Sequence, residues 1–167
     1  IRENHATPSF LHLYGFPNSV CTSINDEVVH GIPSDVVLKD GDIISVDVGA
    51  CYKGYHGDSA WSYAVGTISE EAKYLMETCE KSLFAGLAQV KPGNRLSDIS
   101  HAIETYLTEH HCTTPKDYTG HGIGTDVHEE PAIPNYGKPG KGPRLKAGMT
   151  VAIEPMAHLG GCETEVL

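Results

Sequence analysis

Polar and apolar residues alternate from Ile44 and Val46 to the carboxylate of Asp47, which predicts a β-strand over residues 43–48 with one buried face. A turn around Tyr52-Lys53-Gly54 and a second strand over 56–65 complete a predicted hairpin. The period then changes. Ser69 reads as an N-cap, with Glu70 and Glu71 at the positive end of a helix. Ala72, Leu75, Cys79, Leu83 and Leu87 recur at helical spacing as its apolar stripe, and Pro92-Gly93 stops it. A second helix is expected over 96–110, with Ile99, Ala102, Ile103, Tyr106 and Leu107 facing inward. Up to Pro33, and again over 113–146, turn residues dominate.

One pattern occurs twice. Lys39, Gly41, Ile44, Val46 and Asp47 match Lys146, Gly148, Val151, Ile153 and Glu154 position for position. Each copy is a glycine-led strand ending on an acid. A carboxylate on a half-buried strand is costly unless a partner compensates it. The match suggests a duplicated fold with a polar centre shared by its halves. Near the end of the chain, Gly160-Gly161 and residues 163–167 read as a hairpin missing its second half.

With 167 residues, 40% of them hydrophobic and 20% charged, the chain is expected to form a single domain, 1–167, able to bury its own core. The formal net charge of −10 speaks against a nucleic-acid partner or an anionic membrane. It also suits a cation site, since clustered carboxylates repel until a metal neutralises them. Five cysteines, an odd number with no Cys-x-x-Cys pair, argue against a disulfide framework and for a reducing cytoplasm. No apolar run is long enough for a membrane helix and no signal peptide is visible.

If the hairpin turns at Tyr52-Lys53, Asp47 and Asp58 are direct cross-strand partners with Cβ atoms ~5 Å apart. Like charges so placed call for a cation between them, and no Lys or Arg of the hairpin is well placed. His121 lies in Gly120-His121-Gly122-Ile123-Gly124, where small residues allow the backbone to approach a ligand. His128-Glu129-Glu130 is not the zinc-protease motif, because Ala132 stands where its second His belongs. Asp47, Asp58, His121 and Glu154 make an oxygen-rich donor set with one imidazole, suited to Mn, Fe, Co or Zn. Such ions polarise a carbonyl and activate water. His30 and His128 are left to bind substrate or move protons.

Residues 18–33, with Cys21, His30 and Gly31-Ile32-Pro33, resemble the substrate-pocket segment of type I methionine aminopeptidases. The Asp47–Asp58 hairpin, the Gly120–Gly124 loop, His128-Glu129-Glu130-Pro131 and Ile153-Glu154-Pro155-Met156 resemble that family in the same order. The resemblance implies the α+β pita-bread fold, an antiparallel sheet with helices outside and a pseudo-twofold repeat. It implies two divalent metal ions (Co, Mn, Fe or Zn): Asp47 chelating one, Asp58 bridging both, His121 and Glu154 on the other. Glu154 would also relay a proton, His128 would contact the scissile carbonyl and His30 the substrate amide nitrogen. Phe10, Leu13, Phe16, Cys21 and Val127 would line the methionine pocket. The implied reaction is removal of the N-terminal methionine from peptides or nascent chains, by a cytoplasmic monomer with ribosome association, without a nucleic-acid or membrane partner.

The family's N-terminal region and its C-terminal strands, with a fifth ligand, have no counterpart in residues 1–167. This stretch alone is therefore expected to be weakly active or inactive. The alternatives are a related pita-bread peptidase (prolidase or aminopeptidase P) and a non-catalytic binding module on the same fold.

Overall fold

The computed structural model describes residues 1–166. Leu167, the last residue of the expected terminal hairpin, lies outside the described residues. The chain divides into two compact units: Ile1–Ala72 with Ile123–Glu129, and Lys73–Gly122 with the segment from Glu130.

The first unit is built on a sheet of β1 (Thr7–Pro8), β2 (Cys21–Ile24), β3 (Ile43–Tyr52) and β4 (Tyr55–Ala64). β3 is its spine. β4 pairs with one edge over its full length, while β2 and β1 pair in succession along the other. The hairpin forms as expected, but its register differs. Tyr52 pairs with Tyr55, so the turn is Lys53-Gly54 rather than Tyr52-Lys53. Lys53 and Gly54 both have positive φ, 52° and 84°. This is the two-residue turn whose twist matches that of the strands, and a glycine at its second position favours it. The shift carries Asp58 opposite Gly49 and places Ala60 opposite Asp47. The two acids keep a common face, yet they are diagonal neighbours rather than direct partners.

The second unit holds most of α1 (Glu70–Leu87), then α2 (Leu96–Glu109), β5 (Cys112–Thr113), β6 (Thr119–Gly122), all but the first residue of β7 (Glu129–Pro134), β8 (Val151–Ala152) and β9 (His158–Leu159). β6 lies between β7 and β8, and β5 pairs with β9. Ser69 caps α1 as expected, its Oγ accepting the Ala72 N–H at 3.0 Å. The buried line of α1 differs from the expected stripe. Thr78, Ser82 and Gly86 are its buried residues, while Leu87 is exposed. Small side chains win there because α2 comes close: a Cβ on Gly86 would stand 2.8 Å from the Ile103 side chain. Ile99, Ile103 and Leu107 of α2 then form the core with Leu96, Cys112, Ile133 and Leu145, and Leu75, Val151 and Ile153 pack against it.

The repeated pattern has a local structural counterpart. In the first copy Asp42 N–H donates to the Lys39 carbonyl, and in the second Met149 N–H donates to Lys146. The glycine in each turn has positive φ, 100° at Gly41 and 91° at Gly148. Both copies thus enter their strand through the same glycine-dependent turn. They differ at the far end. β3 continues past Asp47, whereas β8 stops at Ala152 and Glu154 follows without ladder pairing.

Candidate active site

The first unit places its candidate acids on one half-buried sheet face. Asp47 stands in a row between Cys21 of β2 and Ala60 of β4. Asp58 sits two residues along β4, a diagonal at which Cβ atoms are somewhat under about 7–8 Å apart. Burial raises the Cys21 thiol to a pKa of about 11, and the nearby Asp47 and Asp58 carboxylates add to the shift. That thiol is therefore neutral at physiological pH and behaves as a small apolar group.

Beside these acids lies an apolar cluster. Phe10, Cys21 and Val127 are buried together, and Leu13 and Phe16 pack against them. All the residues assigned to a methionine pocket by sequence meet here. Phe10 lies over Gly49, where a Cβ would come within 2.5 Å of its ring. Gly49 faces Asp58 across the hairpin, so the cluster begins where the acid pair does.

His30 is exposed and has φ 59°. Its left-handed turn lays Gly31 against β2, where the Gly31 carbonyl accepts the Thr22 N–H at 3.0 Å. His128 is exposed on the 123–129 segment, and its ring stacks with Tyr14 at 6.0 Å between centroids. The same segment is tied to the hairpin by the His56 N–H, which donates to the Gly124 carbonyl at 2.8 Å. The His56 ring shares a hydrogen bond of 2.8 Å with the Ser9 hydroxyl. Tyr14, Ser9 and His56 were not found from sequence. Only the place of Tyr14 between two pocket residues hinted at a role.

In the second unit β6 delivers His121, which pairs with Ala152 of β8. Gly120 is needed for that pairing, since any Cβ there would collide with the Ala152 carbonyl oxygen. Gly124 is held for another local reason, its missing Cβ leaving room for the Glu129 carboxylate. These two glycines thus have packing roles of their own. His121 is buried, and its Nδ1 lies 2.8 Å from the Gly122 carbonyl. A carbonyl oxygen only accepts, so Nδ1 carries the proton. In the neutral ring Nε2 then presents a lone pair, 3.0 Å from Oε1 of Glu154. Oε1 is itself buried and makes no hydrogen bond among the described residues. Two lone pairs facing each other repel unless a proton or a metal ion joins them. A protein oxygen on the far ring nitrogen is the usual support of a metal-binding histidine. The pair therefore fits a divalent cation.

Asn135, also missed from sequence, is fully buried and donates from Nδ2 to the Glu154 carbonyl at 2.7 Å. This bond replaces the ladder that β8 has given up. Sequence offered no signal for it, because an asparagine after Ile133-Pro134 reads as a turn residue.

Residues 2–165 match the model of metallopeptidase family M24, and the chain belongs to that family. Its fold is the pita-bread fold. The chain is 57% identical over 160 residues to methionine aminopeptidase 1 of Bacillus subtilis, an alignment covering 96% of this chain and 64% of that protein. The chain thus spans about two thirds of that relative's length. The crystal structure of methionine aminopeptidase from Rickettsia prowazekii superimposes with a TM-score of 0.97 at 42% identity, covering 99% of this chain and 66% of that one. The prolidase from Pyrococcus horikoshii is more distant, with a TM-score of 0.72 at 26% identity over 81% of this chain and 39% of that one. Similarity is therefore greater on the methionine aminopeptidase side of the family than on the prolidase side.

Proposed function

We propose that this chain carries the catalytic part of a metalloaminopeptidase that hydrolyses the N-terminal methionine from peptides and nascent proteins. The observation that carries the reading is the apolar cluster of Phe10, Cys21 and Val127 on the sheet face that bears Asp47 and Asp58. It sets a lining suited to a thioether side chain beside metal-type donors.

In this reading Asp47, Asp58, His121 and Glu154 hold two divalent ions drawn from Co, Mn, Fe or Zn. Bound there, such ions supply Lewis acidity toward the carbonyl and bring the pKa of a coordinated water toward neutrality. The side chains do the rest. Leu13 and Phe16 join the cluster in receiving the methionine side chain. His30 contacts the substrate amide nitrogen. His128 donates a hydrogen bond to the scissile carbonyl oxygen, strongest as negative charge develops on it. The Glu154 carboxylate accepts a proton from the attacking water and passes it to the departing amine.

No helix among the described residues is long and apolar enough to cross a membrane. A cytoplasmic monomer meeting nascent chains near the ribosome completes the proposal.

The deciding experiment compares hydrolysis of Met-Ala-Ser with that of Ala-Pro peptides by the metal-loaded protein carrying this chain. Preferential, chelator-sensitive release of methionine is expected. Preferential Ala-Pro cleavage would move the reading to a prolidase or aminopeptidase P. Absence of both activities, with no bound Mn or Co, would leave a binding module. His128→Ala should lower kcat roughly 100-fold while leaving metal content unchanged; equal loss of metal would make His128 a ligand.

A further inference from the structure

Tyr14 adopts a backbone conformation that its side chain disfavours. Within the 3-10 turn Leu13–Gly15 it has φ 50° and ψ 27°, the left-handed region. A bulky residue is rare there and is retained where something outweighs the strain. Burial of the ring would be an ordinary reason, but the Tyr14 side chain is 86% exposed. The neighbours have packing roles, because Leu13 and Phe16 both enter the apolar cluster. What the conformation does achieve is to place the phenol ring against the His128 imidazole, 6.0 Å between centroids and 16° between planes.

We infer that Tyr14 is a positioning residue whose ring sets the orientation of the His128 imidazole. The inference rests on the proposed contact of His128 with the scissile carbonyl. A hydrogen bond weakens steeply as its angle departs from linear, so the plane in which the imidazole lies bears on the bond it donates. A flat ring alongside favours one such plane. Since the His128 bond matters most as charge develops on the carbonyl, loss of orientation falls on kcat rather than on KM.

Tyr14→Phe keeps the stack, Tyr14→Ala removes it, and Tyr14→Gly removes it while relieving the backbone. The test measures Met-Ala-Ser kinetics, bound metal, Tm and the NMR resonance of the His128 Cε1–H in the metal-loaded protein. Tyr14→Ala is expected to lower kcat about threefold to tenfold, the range of one aromatic pair, with KM and bound metal within twofold. The resonance should lose its ring-current shift, and Tyr14→Phe should restore both. Tyr14→Gly should show the same fall in kcat together with a higher Tm, because glycine adopts positive φ without strain. A purely structural role does not move turnover down and stability up together. Full kcat in Tyr14→Ala with an unmoved His128 resonance would overturn the inference and leave the proposed function standing. A parent protein that releases no methionine would overturn the proposed function, and this role of Tyr14 with it.

Discussion

Asn135 shows how much one side chain can decide. It is buried completely, and its amide supports the Glu154 carbonyl where the strand ladder has ended. Removing it leaves a buried carbonyl without its donor and loosens the residue that faces His121. Asn135→Ala is expected to destabilise the fold by about 1–3 kcal/mol, the penalty of an unsatisfied buried acceptor. It should also weaken binding of Mn or Co by roughly 10–100-fold, as other supporting partners of metal ligands do. Denaturant unfolding and metal titration read the two effects separately; an unchanged metal affinity would mean that Glu154 is held well enough by other contacts. Legibility from sequence is uneven at this scale. Asp47, Asp58, His121 and Glu154 stood out because acids on alternating strands and a histidine among glycines break the local pattern. Asn135 and Tyr14 did not, because their roles depend on contacts with residues distant in sequence.

Elements were legible to the extent that a repeating period set them. The helices fell close to expectation because a capping Ser69 and a 3.6-residue period are local properties. The hairpin register was not, because one positive-φ turn decides it and the alternation of side chains is the same after a shift of two residues. The α1 stripe was partly right, since Leu75 packs against the core as expected, but close approach of α2 selects small residues, Thr78, Ser82 and Gly86, at the innermost positions. Gly86→Ala should therefore destabilise the fold by about 1–3 kcal/mol through overpacking against Ile103, although alanine is the better helix former. A rise in Tm instead would show that α2 yields easily. The start of α2 gives a pH-dependent case. Asp98 accepts the Arg95 N–H at 2.7 Å and the Gly140 N–H at 2.7 Å, and these bonds hold its carboxyl below the usual carboxylate range. A depressed folded-state pKa stabilises the fold above the unfolded value of about 3.9 and loses that effect as pH falls through the folded value. Asp98→Ala is expected to lower Tm by roughly 2–4 °C at pH 7, with the gap closing as pH falls through the depressed folded-state value. A gap that persists in acid would assign the effect to packing rather than to the carboxylate.

At the scale of the whole molecule, the repeat at residues 39–47 and 146–154 was visible because each copy must build the same turn. Lys39 and Lys146 both accept from the residue three positions on, across a glycine of positive φ. The division into two compact units was not visible, since residues 123–129 return to the first unit without a change in composition. The proposed ligand set draws on acids from residues 47 and 58 and on His121 with Glu154, so its energetics belong to the complete molecule. Without a metal ion, only a proton can join Nε2 of His121 to Oε1 of Glu154 across their 3.0 Å separation. A metal that binds the folded chain and not the unfolded one stabilises it by about 2.7 kcal/mol at 100 times its Kd. For a protein of this size that corresponds to a rise in Tm of roughly 5–10 °C. Scanning calorimetry of the chelator-treated protein, before and after addition of Mn or Co, should show the rise. Glu154→Gln should lose most of it, because the amide presents a weaker donor than the carboxylate and can donate its own hydrogen bond to Nε2 of His121. A Glu154→Gln protein that responds to metal as the parent does would remove Glu154 from the ligand set, and with it the reading of the His121 pair as half of a metal centre.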